Sequence, residues 1–133
     1  MSMPEAEGVS HVALTVTDLG ASVDWYTRLF DGTVLWEEHD DPAHEFVLIF
    51  APPLAIGLHR HATTATGDTF VESRVGLDHI SWQVPHRGVL EAWAAKLDEL
   101  DIAHSPITDA PYGTVLVFRD PDNIQLEFFA LPG

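Results

Sequence analysis

Four side chains in two related pairs of positions have the chemistry to hold a divalent metal: His11 and His79, each opening a strand-like run, and His59 and Glu127, each near the end of one. Three imidazoles and one carboxylate are borderline nitrogen and oxygen donors. Such a set suits Fe, Mn, Zn, Ni or Co and leaves coordination positions open for a ligand. The chain has no cysteine, which removes thiolate ligands and disulfides together. A lone strand histidine is more often a hydrogen-bonded structural residue, and His11 by itself would be read that way. Glu127 is harder to place, because it interrupts the apolar run Ile124-Gln125-Leu126-Glu127-Phe128-Phe129. A buried carboxylate without a cation or solvent is costly.

An internal repeat groups the four. Sliding the chain along itself by 68 residues sets His11 on His79, Trp25 on Trp93, Leu29 on Leu97, Phe50 on Phe118, Pro53 on Pro121 and Leu58 on Leu126, with His59 opposite Glu127 and no gap. Self-similarity through both halves means one supersecondary unit used twice.

Each copy opens on an alternating strand: Val12, Leu14 and Val16 against His11, Ala13 and Thr15, then Ile80, Trp82 and Val84 against His79, Ser81 and Gln83. A helix follows, capped by Thr17 or Asp18, with Val23, Tyr26, Leu29 and Phe30 at helical spacing and Asp31-Gly32 at its end. Leu90, Trp93, Leu97 and Leu100 repeat it. Three strands complete each half, around Val34 to Glu38, Phe46 to Ala51 and Leu54 to Arg60, then Ile102 to Ile107, Gly113 to Phe118 and Ile124 to Phe129. Pro52-Pro53 and Asp120-Pro121-Asp122-Asn123 supply the last turns. Residues 61–76 lack clean periodicity and read as a linker between module one, 10–60, and module two, 77–130.

One helix covers only one face of a small sheet, so a βαβββ unit needs a partner. The expected fold is α+β, one domain over residues 1–133, in which two βαβββ modules form a cupped mixed sheet around a cleft. His11 and His79 stand opposite the branched residues that pack under the helices, so they face the cleft. Gly57 and His59, in phase with Gln125 and Glu127, face it too. The expected metal set is therefore His11, His59, His79 and Glu127. His61 lies two residues beyond His59 on the same nominal face and replaces it if the strand ends in a bulge.

Composition narrows the partners. The chain has 133 residues, 46% apolar, enough for a real core. A net charge of −15, with only 6 Lys and Arg and no basic cluster, excludes nucleic acid and anionic membranes as expected partners. No apolar run approaches a membrane span, and the acidic start lacks the layout of a secretory signal, so the expected location is cytoplasmic.

The run His11-Val12-Ala13-Leu14-Thr15-Val16-Thr17-Asp18-Leu19, followed by Ser22-Val23-Asp24-Trp25-Tyr26, and the closing Phe118-Arg119-Asp120-Pro121-Asp122-Asn123-Ile124-Gln125-Leu126-Glu127 resemble the opening strand and helix and the final hairpin of the glyoxalase, bleomycin-resistance and extradiol dioxygenase group. This group is also called the vicinal oxygen chelate superfamily. The resemblance covers nearly everything from Ser10 to Ala130 and implies a glyoxalase-like fold. It implies that His11, His79 and Glu127 bind metal, with His59 in the fourth position. Glyoxalase I has glutamate where His59 stands, which puts that activity in doubt. The shared chemistry implied is bidentate chelation of a small-molecule substrate through neighbouring oxygens, by a lyase, isomerase or ring-cleaving dioxygenase. Glu127 is the first candidate base, with Tyr112, His104 and Gln83 behind it. Phe46, Phe50, Phe118, Phe129 and Trp36 can supply an aromatic lining, although most of them are expected to be core. The rival expectation is a metal-free protein that sequesters an antibiotic or aromatic natural product. The resemblance also implies a homodimer.

Overall fold

The structure of the chain is a computed structural model and describes residues 2–133. It forms two compact units, the first ending at Thr64 and the second beginning at Ala65. The first contains β1 (Val12–Thr15), α1 (Leu19–Phe30), β2 (Thr33–Glu38), β3 (His44–Ala51) and β4 (Leu54–His61). Its mixed sheet runs β1-β4-β3-β2, with β1 parallel to β4 and the other pairs antiparallel. The second contains β5 (Ile80–Val84), α2 (Arg87–Glu99), β6 (Thr108–Ala110), β7 (Gly113–Arg119) and β8 (Gln125–Ala130), in the matching order β5-β8-β7-β6. Among the described residues no helix is long and apolar enough to cross a membrane.

Local chemistry fixes these elements. Asp18 caps α1, its Oδ1 accepting from the Ala21 N–H at 3.0 Å. The helix stops at Asp31, which takes the left-handed conformation at φ 49°. Gly32 follows because a Cβ there would sit 2.7 Å from the Phe50 carbonyl oxygen. Tyr26, Leu29 and Phe30 of α1 are buried with Leu14, Val47, Ile49, Ile56 and Leu58. Full burial of such a side chain contributes about 1.5–3 kcal/mol. In the second unit Leu90 and Leu97 are buried with Trp82, Leu116, Phe118, Leu126 and Phe128, and Trp93 stacks on Phe128 at 4.1 Å.

Three expectations change. The strand expected over Ile102 to Ile107 forms instead at Thr108–Ala110. Pro106 has no N–H to give a ladder, and Ser105 substitutes for one: its N–H donates to the Val117 carbonyl at 2.8 Å and its Oγ accepts from the Val117 N–H at 2.9 Å. Only His104 makes a bridge, with Phe118. Phe118 is core, 2% exposed under α2, and does not line the opposite face. Finally, β4 continues to His61 in unbroken register with β3, so the bulge that would bring His61 into the place of His59 is absent. Residues 69–72 are fastened within the second unit. Thr69 Oγ1 and the Phe70 N–H donate to the Asp122 carbonyl, and Arg119 bonds Glu72 at 2.8 Å.

Candidate metal centre

In each unit the helix covers one face of the sheet, and the paired strands fix what the other face carries. Cross-strand partners point the same way. In the first unit Ala13 pairs with Gly57, Thr15 with His59, Phe46 with His59 and His44 with His61, while Val47, Ile49, Ile56 and Leu58 go under α1. His44, Phe46, Gly57, His59 and His61 therefore share the uncovered face. In the second unit Ser81 pairs with Glu127, Gln83 with Phe129 and Val117 with Glu127, which places Glu127 on the uncovered face there. The structure places His11, directly before β1, near His59 in the first unit. In the second it brings His79 and Glu127 together, with Nε2 and Oε1 3.7 Å apart.

The register modifies the simple repeat. Ala13 and Ser81 are counterparts, yet Ala13 pairs with Gly57 and Ser81 with Glu127. The residue equivalent to Glu127 is thus Gly57, and His59 lies two residues further along β4. Part of the slip is in the last turns: Pro52-Pro53 joins β3 to β4, whereas Pro121, Asp122 and Asn123 lie between the hydrogen-bonded Asp120 and Ile124. His59 nevertheless reaches the vacated place. A Cβ built on Gly57 would meet His59 Nε2 at 3.1 Å and the Ala13 Cβ at 3.6 Å, so the imidazole lies back over the glycine. The missing side chain is the cradle that lets it do so.

The three imidazoles share one habit. His79 Nδ1 is 2.7 Å from Asp78 Oδ1, and a carboxylate only accepts, so Nδ1 carries the proton. Gln125 Nε2 donates to the same Asp78 oxygen at 3.1 Å, and Arg119 donates to Gln125 Oε1 at 3.2 Å. His11 Nδ1 is 3.0 Å from Ser10 Oγ, and His59 Nδ1 is 2.8 Å from His44 Nε2. Each ring is anchored through Nδ1, and Nε2 is the nitrogen left to bind. Burial first, then the neighbouring His44, His61 and His11, hold His59 below the ordinary histidine pKa, which favours the neutral ligand form. The Glu127 side chain is 16% exposed, accessible yet mostly withdrawn from water. The donor set and the glycine cradle both fit a divalent ion.

His44, His59 and His61 also offer ring nitrogens within 4.8 Å of one another. Their rings are stacked, His44 on His61 at 4.4 Å and 7°. In-plane lone pairs of rings stacked face to face run along lines that do not meet, so His44 and His61 are not arranged to share one ion.

The remaining candidates are dispersed. Tyr112 sits on the β6–β7 turn, 68% exposed, its ring stacked on Phe129 at 6.4 Å, which puts it on the sheet face of Glu127. Gln83 is exposed on that face. His104 lies apart, tied to Asp98 and the Ser105 carbonyl. Trp36 and Phe50 are 60% and 39% exposed on the face that carries His59. Sequence reasoning missed Ser10, Asp78 and His44. The first two carried a signal: a hydrogen-bonding residue precedes the histidine in both copies of the repeat.

A model of the Glyoxalase/Bleomycin resistance protein/Dioxygenase superfamily matches residues 8–128. Among curated proteins none matches. A glyoxylase/bleomycin resistance protein/dioxygenase domain from Frankia sp. EAN1pec is 38% identical over 96% of this chain and 94% of that one, with a TM-score of 0.86. The glyoxalase family protein from Enterococcus faecalis is 21% identical over 92% and 97%, with a TM-score of 0.79. A mutant of the fosfomycin resistance protein FosX from Listeria monocytogenes, complexed with Mn(II) and 1S,2S-dihydroxypropylphosphonic acid, is 18% identical over 96% and 93%, with a TM-score of 0.72. The last two share the fold.

Proposed function

This chain belongs to the Glyoxalase/Bleomycin resistance protein/Dioxygenase superfamily, and from that premise we propose that it is a divalent-metal-dependent enzyme acting on a small molecule that chelates through vicinal oxygens. The proposed ligands to one ion are His11, His59, His79 and Glu127, and the chemistry is of the lyase, isomerase or ring-cleaving type. The observation that carries this reading is the shared anchoring of all three imidazoles through Nδ1, the support that metal-binding histidines need to present Nε2. Mn(II) and a vicinal diol in the Listeria FosX complex support a chelating ligand. When bound, such an ion supplies Lewis-acid stabilisation of negative charge on substrate oxygens. Glu127, withdrawn from bulk water, is the proposed proton acceptor. Tyr112, reached past Phe129 on the same sheet face, is the proposed donor.

Elemental analysis of tag-free protein purified without chelator tests the site. The expected result is about one divalent ion per chain, lost in His79→Ala and Glu127→Gln. His59→Ala weakens retention less, because its register leaves the other three in place. Protein that neither carries metal nor takes up Fe, Mn, Co, Ni or Zn would overturn the reading.

A second reading, metal-free sequestration of an aromatic natural product, draws on Trp36, Phe46, Leu48 and Phe50, an apolar patch on the uncovered face of the first sheet. Calorimetric binding of such a compound that is indifferent to chelator would favour it. Either reading makes the partner a small molecule. The homodimer that the family suggests is tested by light scattering.

A further inference from the structure

The four-ligand set leaves His44 without a role, yet its backbone and ring are both held on the first sheet. We propose that His44 is the positioning residue of the metal site: its Nε2 accepts the Nδ1 proton of His59, fixing the tautomer and ring direction that present His59 Nε2 to the ion. The proposal rests on the metal-binding reading above.

Three observations carry it. His59 needs outside support, because the residue before it cannot give any. Ser10 and Asp78 precede His11 and His79 and anchor them, whereas Leu58 is fully buried under α1. The anchor therefore has to come from the next strand, and His44 stands there at 2.8 Å from Nδ1. The ring also has to lean back over Gly57, and Phe46, stacked on it at 4.8 Å and 15°, supports that lean from the same strand as His44. Finally, the turn before β3 is braced. The His44 N–H donates to the Asp41 carbonyl at 3.1 Å, Asp41 Oδ1 accepts from the Ala43 N–H at 2.9 Å, and the Ala62 N–H donates to the Ala43 carbonyl at 2.9 Å. Arg60 clamps the same turn, donating to the Pro42 carbonyl at 2.8 Å and to Glu45 Oε2 at 3.3 Å. His61 backs the His44 ring by stacking. Such bracing suits a group whose direction matters. The parallel planes of His44 and His61 argue against direct ligation by both.

Only one of the two possible proton arrangements serves. If His44 donates, His59 carries its proton on Nε2 and cannot bind; if His59 donates, Nε2 is a lone pair. Metal binding selects the second.

The test is Co(II) titration of the full chain, followed by its visible absorption, in wild type, His44→Phe and His44→Gln. Phenylalanine keeps a ring to stack on His61 but cannot accept a proton; glutamine can. The expected outcome is Co(II) affinity about 10–100-fold weaker in His44→Phe, the range lost with an outer-shell partner. His44→Gln recovers most of it, and all three share one absorption envelope at saturation. Undiminished affinity in His44→Phe, or glutamine no better than phenylalanine, overturns the proposal. A changed envelope in both variants also overturns it, because His44 is then a ligand. Failure of wild type to bind Co(II) removes the metal reading and this inference with it, whereas normal binding in wild type and His44→Phe alike removes the inference alone.

Discussion

Gly57 is the residue on which the candidate site turns, because it leaves the register place of Glu127 empty and His59 fills it from two residues away. Gly57→Ala sets two effects against each other. Alanine in a strand interior is favoured over glycine by roughly 0.5–1 kcal/mol, so thermal stability is expected to hold or rise. The new Cβ would stand 3.1 Å from His59 Nε2 and push the ring aside, so Co(II) affinity is expected to fall by roughly tenfold, as when a ligand loses its supporting contact. Calorimetry and metal titration of the same sample read both. Unchanged or tighter binding would show that the ring over Gly57 is not where the ion sits. Tyr112→Phe asks a separate question, since it removes only a hydroxyl from an exposed turn residue. Turnover is expected to drop by about 10²-fold or more if that hydroxyl moves a proton, with metal content untouched. Unaltered turnover would leave Glu127 to act without it.

At the scale of elements, β1, α1 and their repeats were legible because nothing intervenes between His11 and Phe30 to disturb a two-residue and then a 3.6-residue period. The closing turn was legible from its residue types: Asp120 Oδ1 accepts from both the Asp122 and Ile124 N–H groups, and Asn123 takes φ 68°. What was not legible depended on pairing. Ser105 imitating a backbone partner, the two-residue slip that sets Gly57 opposite Ala13, and the approach of His44 to His59 across two strands leave no mark in a single strand's pattern. His104 is of the same kind. Expected as a spare base, it joins the last turn of α2 to the start of the β6 segment through Asp98 at 2.8 Å and the Ser105 carbonyl at 2.7 Å. The bond to Ser105 raises its pKa above the ordinary histidine value; burial opposes that rise, and the hydrogen bond and charge of Asp98 add to it. A raised pKa contributes stability that is complete below the unfolded value and fades as pH rises through the folded one. Wild type should therefore exceed Asp98→Asn in urea stability most at about pH 6 and progressively less toward pH 8. A gap that widens with pH would contradict the assignment, as would a ring that titrates at or below the ordinary value by NMR.

Taken as a whole molecule, the chain is short of positive charge where a charged substrate would need it. Its net charge is −15, and its six basic residues are five arginines and Lys96. Arg28, Arg60, Arg74, Arg87 and Arg119 are paired with Asp24, Glu45, Asp68, Asp109 and Glu72, and Lys96 lies in the last turn of α2. Exposed pairs of this kind add little stability, but they cancel the charge that a phosphonate or sulfate would seek. Arg119 is the basic residue on the uncovered face of the second sheet, in register with Gln125, and Glu72 already occupies its guanidinium. A bound ion is then the principal attraction for an anion, set against a repulsive field from the rest of the molecule. The ligand expected is an uncharged or weakly acidic compound with an apolar body, able to lie against Phe46 and Trp36. With Co(II)-loaded protein, catechol should bind at least roughly tenfold more tightly than methylphosphonate at low salt. Added salt screens long-range repulsion over about 8–10 Å near physiological strength, so methylphosphonate affinity should rise with salt, and Glu72→Gln should raise it further by releasing Arg119. Tight phosphonate binding that weakens with salt would mean that the molecule presents a positive site to its ligand, and the substrate class would have to be sought among anions.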